Sequence, residues 1–159
     1  MAELTHFNKD GRPQMVNVGD KQETRRIAIA SGKVRVSHTT LSAIASGGLK
    51  KGDVLSVAQL AGIMGAKKTS ELIPLSHPLG LSHVDVSLQI NSEDCSIDIR
   101  AECQLTGQTG VEMEALTAVS VAGLTVYDMC KSIDKDMHID QIKLIHKSGG
   151  KSGDYTRDD

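Results

Sequence analysis

The stretch VDVSLQINSEDCSIDIRA, residues 84–101, decides the fold class. Val84, Val86, Leu88 and Ile90 alternate with polar neighbours, and the alternation resumes at Ile97, Ile99 and Ala101 after the turn-forming residues Asn91 to Asp94. A period of two places one apolar set on one face of a strand, so the segment predicts an antiparallel hairpin with a single buried side.

Working outward, the stretch from Glu112 to Lys131 changes to helical spacing and is small-sided. Ala115, Ala118, Ser120, Ala122 and Gly123 would let a neighbouring element approach closely. A last strand is expected from His138 to His146. Upstream, Asp53 can cap a helix that runs from Val54 toward Lys67, with Pro74 beyond its end. Thr40 to Ala45 suits a short helix, which Gly47 and Gly48 would stop. Ile27, Ile29, Val34 and Val36 suggest a strand or a hairpin interrupted at Ser31 and Gly32. The order strand, helices, strand, strand, helix, strand predicts an α+β sandwich, with helices on one face of a mainly antiparallel sheet.

A chain of 159 residues suits one domain with a real core. The turn-rich residues 1–14 read as a flexible N-terminal segment, 15–147 as the single domain, and 148–159 as a mobile, glycine-rich basic tail. Phe7, Tyr127 and Tyr155 are the only aromatic residues, so the core must be aliphatic and no platform exists for stacking bases. A formal net charge of −2 supplies no field for nucleic acid or an anionic membrane. Cys95, Cys103 and Cys130 are odd in number and lack metal-type spacing. With no apolar leader or spanning stretch, these features predict a cytoplasmic protein with reduced thiols and no metal site.

On a helical wheel Glu114, Thr117, Thr125, Asp128 and Lys131 share a stripe roughly 120° wide. That stripe is either a solvated face or the lining of a pocket. In a pocket, Asp128 and Lys131 are one turn apart and could tune each other's proton affinity, with partial desolvation bringing Lys131 toward neutrality. His77 is bracketed by Pro74 and Pro78, a rigid setting for a binding group but also an ordinary turn. Arg25, Arg26, Lys50, Lys51, Lys67, Lys68, Lys147 and Lys151 could neutralise a triphosphate if they converge. The Gly150-Lys151-Ser152 run is not a P-loop, because Ile145 stands where that motif needs glycine and no helix follows.

Three segments taken together resemble the cyclic pyranopterin monophosphate synthase family, also called MoaC: KGDVLSVAQLAGIMGAKKTSELIPLSHPL (51–79), LTGQTGVEMEALTAVSVAGLTVYDMCK (105–131) and KSGGKSGD (147–154). The resemblance implies a ferredoxin-like subunit assembled as a homohexamer, a trimer of dimers, with each site at a dimer interface. It implies conversion of 3′,8-cyclo-7,8-dihydroguanosine 5′-triphosphate to cyclic pyranopterin monophosphate with release of pyrophosphate, in molybdenum cofactor biosynthesis. The upstream radical S-adenosylmethionine enzyme would supply the substrate. No flavin, nicotinamide or haem is implied, though magnesium can accompany the triphosphate.

By matching position, the resemblance makes Asp128, Lys131, Lys51 and Glu114 catalytic. It makes Leu75, Ser76, His77, Met113, Glu114, Arg26, Glu112, Lys67 and Lys147 substrate-binding. One departure is Ser76, where family members often carry cysteine, so a thiol nucleophile is not expected there. A regulatory module that grips a nucleotide triphosphate would use the same cations but give the Asp128 and Lys131 pair no task.

Overall fold

The computed structural model describes residues 6–47 and 52–158. Its elements are β1 (Thr24–Arg35), α1 (His38–Ala45), α2 (Val54–Lys67), α3 (Thr69–Leu72), β2 (His83–Asn91), β3 (Ser96–Gly107), α4 (Glu112–Cys130), β4 (His138–Ser148) and β5 (Tyr155–Thr156). The sheet order is β2-β3-β1-β4-β5, and every neighbouring pair is antiparallel. The first four strands and the helices between them have the ferredoxin-like arrangement that the resemblance implied. The long helices α2 and α4 pack on one face, as the order of elements predicted.

The β2–β3 hairpin is as read, with Val86 opposite Ala101 and Ile90 opposite Ile97. Asn91 shapes its turn by accepting the Asp94 amide through Oδ1 at 3.1 Å. Asp53 caps α2, its Oδ1 accepting from the amides of Leu55 and Ser56 at 3.0 and 3.1 Å. These two local predictions need only neighbouring residues, which is why they transfer directly from sequence to structure.

The first strand differs from one of its two readings. It is a continuous strand with no hairpin at Ser31-Gly32, and its buried side is Arg26, Ala28, Ala30, Gly32 and Val34. Ile27 and Ile29 therefore face away from Val34. Gly32 serves close approach rather than a turn, since a Cβ there would lie 2.6 Å from Cγ1 of Val119 on α4. The same small-residue logic joins the helices, because a Cβ on Gly62 would lie 3.0 Å from the Ala118 carbonyl oxygen and 3.3 Å from Cβ of Ala122. Ala118, Ala122 and Gly123 are thus used inside one chain, where α2, β1 and β4 press on α4.

The core is aliphatic, as the composition requires. Val34, Val86, Ile97, Ile99, Val119 and Val126 are fully or almost fully buried, each contributing about 1.5–3 kcal/mol of hydrophobic stabilisation. Among the described residues no helix is long and apolar enough to cross a membrane.

Two features had no signal in the sequence. A single turn of helix, α3, follows α2, and its Thr69 hydroxyl donates back to the Ala66 carbonyl at 2.9 Å. Past Ser148 the chain turns through glycines and returns as β5, with Tyr155 opposite Lys147 and Thr156 opposite His146. The segment read as a mobile tail is hydrogen-bonded back to the sheet edge, and two residues are too few for any periodicity to announce them.

A two-lobed candidate active site

The turn between β3 and α4 organises the site. Gly110 is so placed that a Cβ would lie 2.0 Å from Oε2 of Glu112, so the carboxylate folds directly over this glycine and a larger residue would displace it. Glu112 and Glu114 both fall in the first turn of α4, where the positive end of the helix dipole favours carboxylates. Two clefts meet at this turn, and Thr109, Gly110 and Glu112 line both.

The first cleft, of about 630 Å³, is cationic. Arg26, Lys147, Lys151 and Lys21 line it, together with Ser148 to Ser152. Arg26 is buried at 8% exposure, and its Nε donates to the Gly107 carbonyl at 3.2 Å. Gly149 and Gly150 have φ of +92° and +84°, which glycine adopts without strain. They also pass close to β1: a Cβ on Gly150 would lie 1.7 Å from Nη1 of Arg26, and one on Gly149 2.1 Å from the Arg25 carbonyl oxygen. Lys147 donates through Nζ to Oε1 of Glu112 at 2.9 Å. Three lysines and a buried guanidinium around a glycine-rich turn form a concavity suited to a phosphate chain.

The second cleft, of about 460 Å³, is mixed. Leu75, Ser76 and His77 line it together with Met113 and Glu114. His77 Nε2 lies 2.9 Å from the Val16 carbonyl. A carbonyl only accepts, so Nε2 carries the proton, and in a neutral ring Nδ1 is the acceptor. Glu114 is 3% exposed. Burial pushes its carboxyl up to about 7, assisted by the charge of Glu112 and opposed by a hydrogen bond from its own backbone amide. Cys103, buried on β3, is pushed up to about 12 by burial first and then by the charges of Glu114 and Glu102. A thiol so held is inert at neutral pH. A carboxyl near 7 is poised to give or take a proton there.

The structure divides the expected residues. Arg26, Glu112 and Lys147 gather in the first cleft; Leu75, Ser76, His77, Glu112, Met113 and Glu114 gather in the second. Lys67 lines a separate cleft with His83 and Val84, bordered by the Leu79 that also borders the second. Lys51, like Lys50, lies outside the described residues. Of the other cations, Arg25 turns to Gln104 and Lys68 to Glu71. Among the described residues no three His, Cys, Asp or Glu side chains come together as a metal cage.

Asp128 and Lys131 depart from the sequence reading. They form an ion pair at 2.6 Å, with side chains 60% and 54% exposed. The hydrogen bond and charge of Asp128 raise the Lys131 pKa above the ordinary lysine value. The desolvation that would bring this lysine toward neutrality is not present within one chain. The helical stripe is also split along its length. Glu114 and Thr117 are buried at one end of α4 and Asp128 is exposed at the other, about 21 Å along the axis for fourteen residues. A helical wheel projects away the axis, so residues that share a stripe need not share a pocket.

Lys21, Gln108, Thr109 and Gly110 were not singled out from the sequence, although they complete the cleft walls. Gly110, two residues before a carboxylate-rich helix start, was the one available signal. Lys21 precedes the first strand in an irregular segment and offered none.

The family model described as the MoaC family matches residues 15–150. A cyclic pyranopterin monophosphate synthase from Rhodospirillum rubrum is 60% identical over 153 residues, covering 96% of this chain and 92% of the relative. One from Thermoanaerobacter sp. (strain X514) is 56% identical over 155 residues, covering 98% of each. A third, from Roseiflexus sp. (strain RS-1), is 52% identical over 158 residues, covering 99% of this chain and all of the relative.

Proposed function

The chain belongs to the MoaC family, and from that premise we infer that it is a cyclic pyranopterin monophosphate synthase. It converts 3′,8-cyclo-7,8-dihydroguanosine 5′-triphosphate to cyclic pyranopterin monophosphate and pyrophosphate, a step of molybdenum cofactor biosynthesis. The observation that carries this reading is the junction at Glu112 of a cationic cleft with a mixed one. A nucleoside triphosphate has the same two-part chemistry, a polyanion joined to a planar base.

In this reading Arg26, Lys147, Lys151 and Lys21 hold the phosphates. They also neutralise the charge that develops on the leaving pyrophosphate when a ribose hydroxyl attacks the α-phosphorus. The new phosphorus–oxygen bond closes the cyclic monophosphate, and the electron pair of the broken α–β bridge leaves with pyrophosphate. Glu114, with its pKa near neutrality, moves protons while the purine part opens and recloses, and His77 and Ser76 orient the base. The skeletal rearrangement has no net redox change and asks for no flavin, nicotinamide or haem. Magnesium would enter with the triphosphate.

Asp128 and Lys131 are the catalytic pair in this proposal, acting in the cleft of a second copy of the chain. Their exposure and their distance from Glu114 support that placement. Packing against a partner would also supply the desolvation that Lys131 lacks in the single chain. The assembly is a homohexamer, a trimer of dimers, working in the cytoplasm on the product of a radical S-adenosylmethionine enzyme. Lys51 and Lys67 are assigned to the substrate on family position alone.

The test is to supply the cyclised substrate and measure pyrophosphate and the cyclic pyranopterin together, with Asp128→Ala and Lys131→Ala alongside. Stoichiometric formation of both, lost in the variants, is the expected result. Binding without either product would replace this reading with the regulatory one.

A further inference from the structure

The family match ends at residue 150, yet the next residues return to the sheet beside the cationic cleft. We propose that Tyr155–Arg157 is a positioning strap that pins the glycine loop 149–153 so that Lys147 and Lys151 are preset at the phosphate-binding cleft. Contacts from the strap and within the loop converge on this role. Tyr155 and Thr156 pair with Lys147 and His146 as β5. His146 Nδ1 and the Thr156 hydroxyl lie 2.9 Å apart. Arg157 donates twice to β4, from its amide to the Ile145 carbonyl at 2.8 Å and from Nε to the Leu144 carbonyl at 2.9 Å. Inside the loop, Asp154 Oδ1 accepts the Gly149 amide at 3.3 Å, and the Gly153 amide donates to the Gly150 carbonyl at 3.3 Å.

The physical need for such a strap follows from the loop itself. Gly149, Gly150 and Gly153 all have positive φ, and glycine loses more conformational freedom on ordering than any other residue. A ligand that had to order this loop would bind more weakly by that cost, whereas a loop already held by β5 leaves it out of the binding step. Lys147 and Tyr155 are register partners, so the strap acts directly on the strand that carries a cleft lysine. Its effect therefore belongs in affinity for the phosphate chain, with the chemical step unaffected.

This proposal rests on reading the cleft as the phosphate site. A combined variant, Tyr155→Gly with Thr156→Gly and Arg157→Lys, removes the strap while conserving chain length and formal charge, so bulk electrostatics cannot explain a change. Calorimetry with inorganic tripolyphosphate should show affinity reduced about tenfold, and KM for the cyclised substrate should rise by a similar factor with kcat within about twofold. Hydrogen exchange at residues 149–153 should accelerate. Thr156→Val, which deletes only the hydroxyl contact, should move affinity in the same direction by less. Faster exchange with unchanged affinity, unchanged exchange, or a fall in kcat at constant KM would each overturn the strap. Failure of the unaltered protein to bind tripolyphosphate would instead sink the phosphate-cleft reading, with exchange alone then deciding whether the strap orders the loop.

Discussion

The ammonium of Lys147 donates to the carboxylate of Glu112 across 2.9 Å, joining the last strand of the ferredoxin-like unit to the first turn of α4 where two clefts meet. A phosphate chain entering the cationic cleft competes with Glu112 for that ammonium and meets its negative charge. Glu112→Gln should therefore bind tripolyphosphate about fivefold more tightly at low salt, while Lys147→Ala should bind it about tenfold more weakly. Isothermal titration of both variants measures this, and equal weakening in the two would show that Glu112 acts as a ligand and not as a competitor.

Asp128 and Lys131 lie at the far end of α4 from Glu114. Lys131→Ala should lose turnover by about a thousandfold or more yet keep tripolyphosphate affinity within about twofold. If a second copy carries the pair into the cleft, mixing Lys131→Ala with Glu114→Gln subunits should restore part of the activity by forming some sites free of both changes. No recovery in subunits shown to exchange would confine the catalytic set to one chain.

Glu114 gives an acid residue an inverted pH signature. Its folded pKa of about 7 exceeds the ordinary 4.5, so between those values the native state holds more protons than the unfolded chain. The stability associated with the neutral carboxyl is complete below about 4.5 and is lost as pH rises through about 7. Glu114→Gln, which keeps a neutral side chain of the same shape, should flatten that slope and stabilise the protein at pH 8 by on the order of 2 kcal/mol. Denaturant unfolding of both proteins at pH 5 and pH 8 checks the sign.

Carboxylates elsewhere behave in the usual sense. Asp134 is held below its ordinary pKa by accepting from the Ser37 amide and the Thr40 hydroxyl at 2.8 and 3.0 Å, against the opposing effect of burial. Its stabilisation is present above the ordinary carboxylate value and is lost as pH falls through the lowered one. Asp134→Asn should cost about 1 kcal/mol at pH 7 and progressively less as pH falls below the ordinary carboxylate value, as read from urea midpoints.

Gly32 and Gly80 should respond oppositely to alanine. At Gly32 the new methyl would lie 2.6 Å from Val119 Cγ1, whereas at Gly80 nothing lies within 4 Å. Gly32→Ala is expected to destabilise by about 1–3 kcal/mol through overpacking, and Gly80→Ala to be neutral or stabilising by up to about 1 kcal/mol. Thermal melts distinguish the two, and a neutral Gly32→Ala would show that α4 can lift from the sheet.

By itself the sequence determined what depends on neighbours along the chain. The alternation of Val84 to Ala101 specified a hairpin, Asp53 marked the start of α2, and the succession of elements was enough to imply an α+β sheet with helices on one side. The long motifs around Glu112 to Lys131 carried the family and, with it, the substrate. Only the tertiary structure decided that Gly32 is a contact with Val119 and not a turn. It also decided that Arg26, Lys147 and Lys151 converge while Lys67 and Lys68 do not, and that the chain after Ser148 doubles back as β5. Those outcomes depend on residues far apart in sequence meeting in space. The divided stripe of α4 has the same cause, since burial at Glu114 and exposure at Lys131 come from what packs at each end of the helix, and no periodicity encodes that.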